Sequence, residues 1–152
     1  MNSPILTLFL KIEDLETFVP RSKEREETLR QLIRDYINDS SFKFFKFQDG
    51  EGNILAIWGL METAPGVCEI WQWPGKDYSL RRKDLFRRSL DIIYGFIPKL
   101  CDKLIITIND ESGDIGHKWA VKLGARPLLA LPKFRYDKDH TLYIIDLSKE
   151  KV

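Results

Sequence analysis

The chain has 152 residues, 43% of them hydrophobic and 31% charged, with a net charge of +1. That length suits a single domain over 1–152 with a real core, and the near-neutral balance gives no global field towards nucleic acid or a membrane surface. Its two cysteines, Cys68 and Cys101, and two histidines, His117 and His140, supply neither a disulfide framework nor a zinc spacing.

Both cysteines lie in apolar runs and read as buried free thiols of a reducing compartment. The opening MNSPILTLFLKIEDL has no basic lead, and its apolar run stops at Lys11, so it reads as a strand rather than a targeting segment. No window reaches the roughly 20 apolar residues of a bilayer span. The expectation is a soluble, intracellular protein.

KIEDLETF then predicts a short helix ending before Pro20. A second helix is expected from Ser22, a good N-cap, with Glu24, Glu26 and Glu27 favoured by the dipole of its first turns. Leu29, Leu32, Ile33, Tyr36 and Ile37 form its apolar stripe. In SFKFFKF the aromatic alternation changes phase midway, which predicts a bulge or burial on both faces. QDGEGN is a hairpin turn into ILAIWGL, and METAPG turns the chain into VCEIWQW.

A long helix is expected from Ser79 or Leu80 to the region of Pro98, with Arg81, Arg82, Lys83, Arg87 and Arg88 crowding its first half. KLIITI is a buried strand. Ser112 or Asp114 caps the last helix, in which Ile115, Trp119 and Leu123 recur on one side, and Gly124 stands where a left-handed residue is wanted. RPLLALPKF and TLYIIDL close the chain as strands around the turn RYDKDH. The order β-α-α-β-β-β-α-β-α-β-β predicts an α/β (α+β) layered domain, a mixed central sheet with helices on both faces.

This order, with GNILAIWGL, VCEIWQW, the basic helix, KLIITIND and GHKWAVKLGARP, resembles the GCN5-related N-acetyltransferase (GNAT) fold over nearly the whole chain. The series ILAIWG, EIWQW, RRKDLFRRSLDII and HKWAVKLGA is similar, more closely still, to a GNAT-like internal virion protein family of short-tailed bacteriophages.

In active GNAT enzymes a glycine-rich loop opens the long helix and holds the CoA pyrophosphate on bare N–H groups. Here that stretch is KDYSLRRKD, without glycine, and Leu80, Arg81 and Arg82 are expected to obstruct a phosphate pressed against the main chain. The resemblance also implies a tyrosine as general acid in the last helix, and the matching place is Ala120. Trp119 beside it reads as packing. The general base of the resemblance falls on Glu69, and strand alternation puts it on the face of Val67, Trp71 and Trp73, an apolar setting that would raise its pKa; a surface carboxylate is the plainer reading of this residue.

The arginine cluster at the helix start opposes the dipole, so an anion is its natural partner unless Asp84 and solvent suffice; a solvated helix face is the plainer reading. No aromatics interleave with it, which argues against single-stranded nucleic acid. Trp71 and Trp73 fit core packing against the long helix, with a ligand cleft or an interface as the alternative. His117 and His140 show no triad partner at matched spacing.

Two functions follow. The missing glycine loop and tyrosine favour a phage virion-associated or assembly protein, a pseudoenzyme without cofactor that acts on protein partners such as phage structural proteins, in the virion or host cytoplasm. The alternative is an acetyl-CoA-dependent N-acetyltransferase in which Glu69 is the base and Ser79, Arg81, Arg82 and Lys83 bind the cofactor, with no metal ligand set.

Overall fold

A computed structural model describes residues 4–23, 26–110, 114–135 and 137–148. The first elements are the strand Leu6–Phe9 (β1), a 3-10 turn at Ile12–Glu16 and the helix Glu26–Tyr36 (α1). The strands Phe42–Gln48 (β2), Ile54–Ala64 (β3) and Val67–Pro74 (β4) follow. The helix Arg82–Gly95 (α2) leads to the strand Lys103–Asn109 (β5) and the helix Asp114–Lys122 (α3), and the strands Arg126–Arg135 (β6) and Lys138–Asp146 (β7) complete the order. They form a seven-stranded mixed sheet in the order β1-β2-β3-β4-β5-β7-β6. The predicted α/β architecture is therefore the observed one.

The differences from the sequence reading are local. KIEDLETF makes a five-residue 3-10 turn rather than an α-helix, and the Asp14 carboxylate accepts the Lys11 N–H at 2.8 Å across it. Glu24 and the alternative cap Ser112 lie outside the described residues. The long helix is preceded by a 3-10 turn at Tyr78–Arg81 and stops at Gly95, three residues short of Pro98. In β2, Phe42, Phe44, Phe45, Lys46 and Phe47 are all buried. The register against β3 holds until Phe47, so the phase change reflects burial on both faces.

The last helix departs from its predicted stripe. Ile115 is 71% exposed, whereas Ala120 and Leu123 are fully buried. The inward face is thus set by a small residue and a leucine three positions apart, which are neighbours on a helix. Gly124 adopts φ +98° after it, the left-handed stop that was expected, and the Tyr94 hydroxyl donates to the Leu123 carbonyl at 2.5 Å.

The chain packs as two compact units. One comprises the chain to Met61 together with Trp71–Arg88, and the other Glu62–Ile70 and the chain from Ser89. In the first unit the core joins Leu10, Leu15 and Phe18 to Leu29 and Ile33 of α1, and to Phe42, Phe44, Ile57 and Trp73 of the strands. Trp71 packs on this cluster, with its ring 6.0 Å from that of Trp73. The tryptophans serve as packing residues in a cluster with residues of α1 and β2. Lys46, 8% exposed, is held here by Asp14 at 2.9 Å.

Gly75 shows why a glycine follows Trp73-Pro74. Its N–H donates to the Leu55 carbonyl at 2.8 Å, and a Cβ would stand 2.9 Å from that oxygen and 3.0 Å from the Ile54 oxygen. Two backbone oxygens cannot swing aside as a side chain can. Gly75→Ala is expected to destabilise the protein by about 1–3 kcal/mol, a fall in Tm of roughly 2–12 °C for a chain of this size. A calorimetric scan showing no fall would contradict this packing.

In the second unit the strand pairing sets up the chemistry. β4 pairs with β5 in parallel from Val67↔Lys103 to Ile70↔Ile106. β5 pairs with β7, and β7 with the edge strand β6, antiparallel. Residues directly opposite one another share a face. Glu69, Ile105 and Ile144 therefore form one row, and Ile70, Ile106 and Tyr143 form the next, on the other face. The second of these is the last paired row of β4 and β5.

Candidate active site

Glu69 lies in the second unit and is 6% exposed, so the surface reading of this residue is incorrect. Besides the apolar Ile105 and Ile144 of its row, it has a charged partner that the sequence did not show. Arg135 approaches Oε1 at 2.8 Å and Oε2 at 3.3 Å, and its other terminal nitrogen donates to Thr107 Oγ1 at 3.3 Å. The Arg135 guanidinium also lies 4.6 Å from the Phe134 ring centroid. A buried carboxylate needs such a partner, because desolvating an unpaired charge is very costly.

Arg135 reaches this place because β6 is irregular. Its register against β7 shifts between Leu131 and Arg135, and Lys133 there has a left-handed φ of 46°. A bulge of this kind re-aims the side chains that follow it. The turn RYDKDH marked the hairpin in the sequence, but nothing in it signalled an arginine bound for Glu69.

On the opposite face, His117 of α3 has two partners. Its Nδ1 is 2.7 Å from the Tyr143 hydroxyl, and its Nε2 is 3.2 Å from Asp110 Oδ1. Thr141 Oγ1 donates to the same Asp110 oxygen at 2.7 Å. The sequence reading, which gave His117 no triad partner, is corrected here. Asp110 is at the end of β5 and Tyr143 in β7, so only the pairing of those strands reveals them as partners. One sequence signal did exist: Asp110 follows the carboxyl end of a parallel strand, where α/β sheets place functional groups.

His140 is buried, with Nδ1 2.9 Å from the Lys138 carbonyl oxygen. The Trp119 indole N–H is buried with no acceptor among the described residues, so the packing role read for Trp119 leaves a polar atom unsatisfied. Among the described residues there is no group of three or more His, Cys, Asp or Glu suited to a metal ion, and no helix is long and apolar enough to cross a membrane.

The predicted cofactor-binding residues lie in the first unit. Ser79, Arg82 and Lys83 are exposed, and Arg81 pairs with Asp84 at 3.0 Å. Arg88 turns away to Thr7, its Nε donating to Oγ1 at 2.9 Å.

Leu80 is 77% exposed, so its side chain stands in solvent and not against another element.

Burial pushes the nearby Tyr78 phenol above its ordinary value, although a Gln72 hydrogen bond and the charges of Arg21 and Arg82 pull it down. The folded chain then keeps that proton to higher pH than the unfolded chain. The resulting stability is complete below about pH 10 and is lost as pH rises through the folded value. Tyr78→Phe is expected to flatten part of this loss in urea midpoints taken across about pH 9–11. An unchanged slope would contradict the burial effect.

No family model matches the chain, and no curated protein does. Solved structures match along its length. A spermidine/spermine N-acetyltransferase SpeG from Vibrio cholerae, in complex with manganese ions, superposes with a TM-score of 0.72 at 17% identity, covering 96% of this chain and 94% of that one. A chimera of the Vibrio cholerae enzyme and hSSAT gives 0.75 at 18% identity over 98% and 99%. A dodecameric structure of the Vibrio cholerae spermidine N-acetyltransferase gives 0.69 at 17% identity over 95% of each chain.

The fold is the GNAT fold.

This overturns the phage virion or assembly reading. The structures that cover the chain are acetyltransferases, and none of those described above is a virion protein. The strand and helix series that suggested a phage protein is the order of the GNAT fold itself, so it does not distinguish that family from the enzymes. The pseudoenzyme and no-cofactor readings rested on the same inference and are withdrawn with it.

Proposed function

We propose that the chain is an acyl-CoA-dependent N-acyltransferase acting on an amine, with Glu69 as general base. One observation carries the proposal. Glu69 is a buried carboxylate held by Arg135 in the row beside the last paired row of β4 and β5, in a fold shared end to end with solved acetyltransferases.

An ionised carboxylate is acceptor-only and offers lone pairs to the proton of an incoming ammonium. Arg135 fixes its orientation, and positioned bases of this kind contribute about 10²–10⁴-fold to proton-transfer steps. Ser79, Arg81, Arg82 and Lys83 would hold the phosphates of acyl-CoA by side-chain charge and the first-turn N–H groups of α2. When bound, acyl-CoA supplies the acyl group as a thioester. Polyamines are the first acceptors to test, because the structural neighbours are spermidine acetyltransferases.

The test is amine-dependent release of free thiol from acetyl-CoA, with the product identified by mass spectrometry. The proposal expects turnover with spermidine, spermine or a simpler primary amine. Thiol release that is the same with and without amine, across that set, would overturn it.

A further inference from the structure

Glu69 stands on the more open face of the second unit. Along β5 and β7, Leu104, Ile106, Tyr143 and Ile145 are buried, whereas Ile105, Thr107, Leu142 and Ile144 are only half-buried. The half-buried set shares the face of Glu69, because Glu69 is opposite Ile105 and Ile105 is opposite Ile144. The next row on that face joins Thr107 to Leu142 and to Leu129 of the edge strand β6, where Leu129 is 55% exposed. Strand rise sets the two rows about 7 Å apart, the length of a short alkyl chain.

Charges on this face are few. The row of Glu69 ends in Arg126, opposite Ile144, and the row of Thr107, Leu142 and Leu129 has no charged member. Glu69 is thus the one carboxylate of the two rows, and Arg135 holds it at 2.8 Å. In the row on the other side, Asp146 stands opposite Lys103 and accepts the N–H and the hydroxyl of Ser148.

We infer that the acceptor in the acyl transfer proposed above is a monoamine, one primary ammonium on a slender apolar arm, and that Ile105, Leu129, Leu142 and Ile144 receive the arm. The inference rests on that proposed function and narrows its acceptor. The ammonium gives one proton to Glu69 as its nitrogen bonds to the acyl carbon. The C–S bond breaks with its electron pair on sulfur, which takes the nitrogen's second surplus proton.

Once Glu69 is protonated, the charge left beside it is the Arg135 guanidinium. A diamine or polyamine would then set a further ammonium over leucine and isoleucine side chains, within reach of that cation. Desolvating an unpaired cation is costly, and no other carboxylate of these rows offsets it. The repulsion grows as the proton moves to Glu69, so it acts on the transition state as well as on binding.

The experiment measures kcat/KM for thiol release from acetyl-CoA with propylamine, butylamine and hexylamine, and with putrescine and spermidine. Butylamine and putrescine share one carbon chain and differ in the second ammonium. Each added methylene is expected to raise kcat/KM by about two- to fourfold, the upper figure corresponding to full burial. Butylamine should exceed putrescine by about tenfold or more. Leu129→Glu puts a carboxylate on the exposed edge of the face and should narrow that ratio in favour of putrescine. A merely structural effect would lower both amines together. Should Leu129→Glu fail to fold, the wild-type series carries the test.

Turnover of putrescine or spermidine equal to or above that of butylamine overturns this inference and leaves the proposed function standing. A flat response along the alkylamines does the same, as does a Leu129→Glu ratio equal to that of wild type. A wild type inert towards acetyl-CoA with every amine overturns the proposed function as well.

Discussion

Glu69→Gln is expected to lower kcat for acyl transfer by about 10²-fold or more while the chain stays folded. The carboxamide nearly matches the carboxylate in shape and still offers one oxygen to Arg135, which approaches both oxygens of Glu69, at 2.8 and 3.3 Å. It cannot accept a proton. Loss of proton acceptance is therefore separated from loss of packing, and thiol release under saturating acetyl-CoA reads the difference. A kcat within twofold of wild type would remove Glu69 from the chemistry. Because Glu69 is 6% exposed, a base role also requires the amine to reach beneath the surface, so bulky acceptors should be turned over more slowly than slender ones.

Arg135→Ala has the second large effect, and it acts on stability. Truncating the arginine leaves a buried carboxylate without its guanidinium. Breaking a fully buried pair costs about 3–5 kcal/mol, but the Arg135 side chain is 33% exposed, so water recovers part of that. A loss of about 2 kcal/mol is expected, or roughly 4–8 °C in Tm. Arg135→Ala combined with Glu69→Gln should be more stable than Arg135→Ala alone, since the unpaired charge has gone. If the double variant is no more stable than the single, the ion pair does not govern this site.

Much of the fold was legible because local patterns dictated it. Alternating apolar residues wrote the strands, and Gly124 wrote the end of α3. The single departure in α3 shows the limit of periodicity: Ile115, Trp119 and Leu123 repeat correctly, yet Ala120 faces inward and Ile115 is exposed. A small residue fits where the helix lies close to its support, and a hydrophobicity count does not see that.

The site was legible only in part. Glu69 could be found from its strand and the resemblance to the GNAT fold. Its partner Arg135 stands 66 residues away, aimed by a bulge that no sequence pattern announces. Asp110, His117 and Tyr143 come together through the β5–β7 register, a long-range pairing. The functional error had a physical root as well. Missing glycines were taken to favour a phage protein, but the element order behind that likeness is shared by solved acetyltransferases.

The most direct measurement is a thermal unfolding titration with acetyl-CoA, on wild type and on a chain carrying Arg82→Glu and Lys83→Glu. A native-state ligand at about 100 times its Kd adds about 2.7 kcal/mol of stability. The account predicts a saturable rise in Tm for wild type that is lost in the charge-reversed chain. A wild type whose Tm does not move at millimolar acetyl-CoA would contradict it.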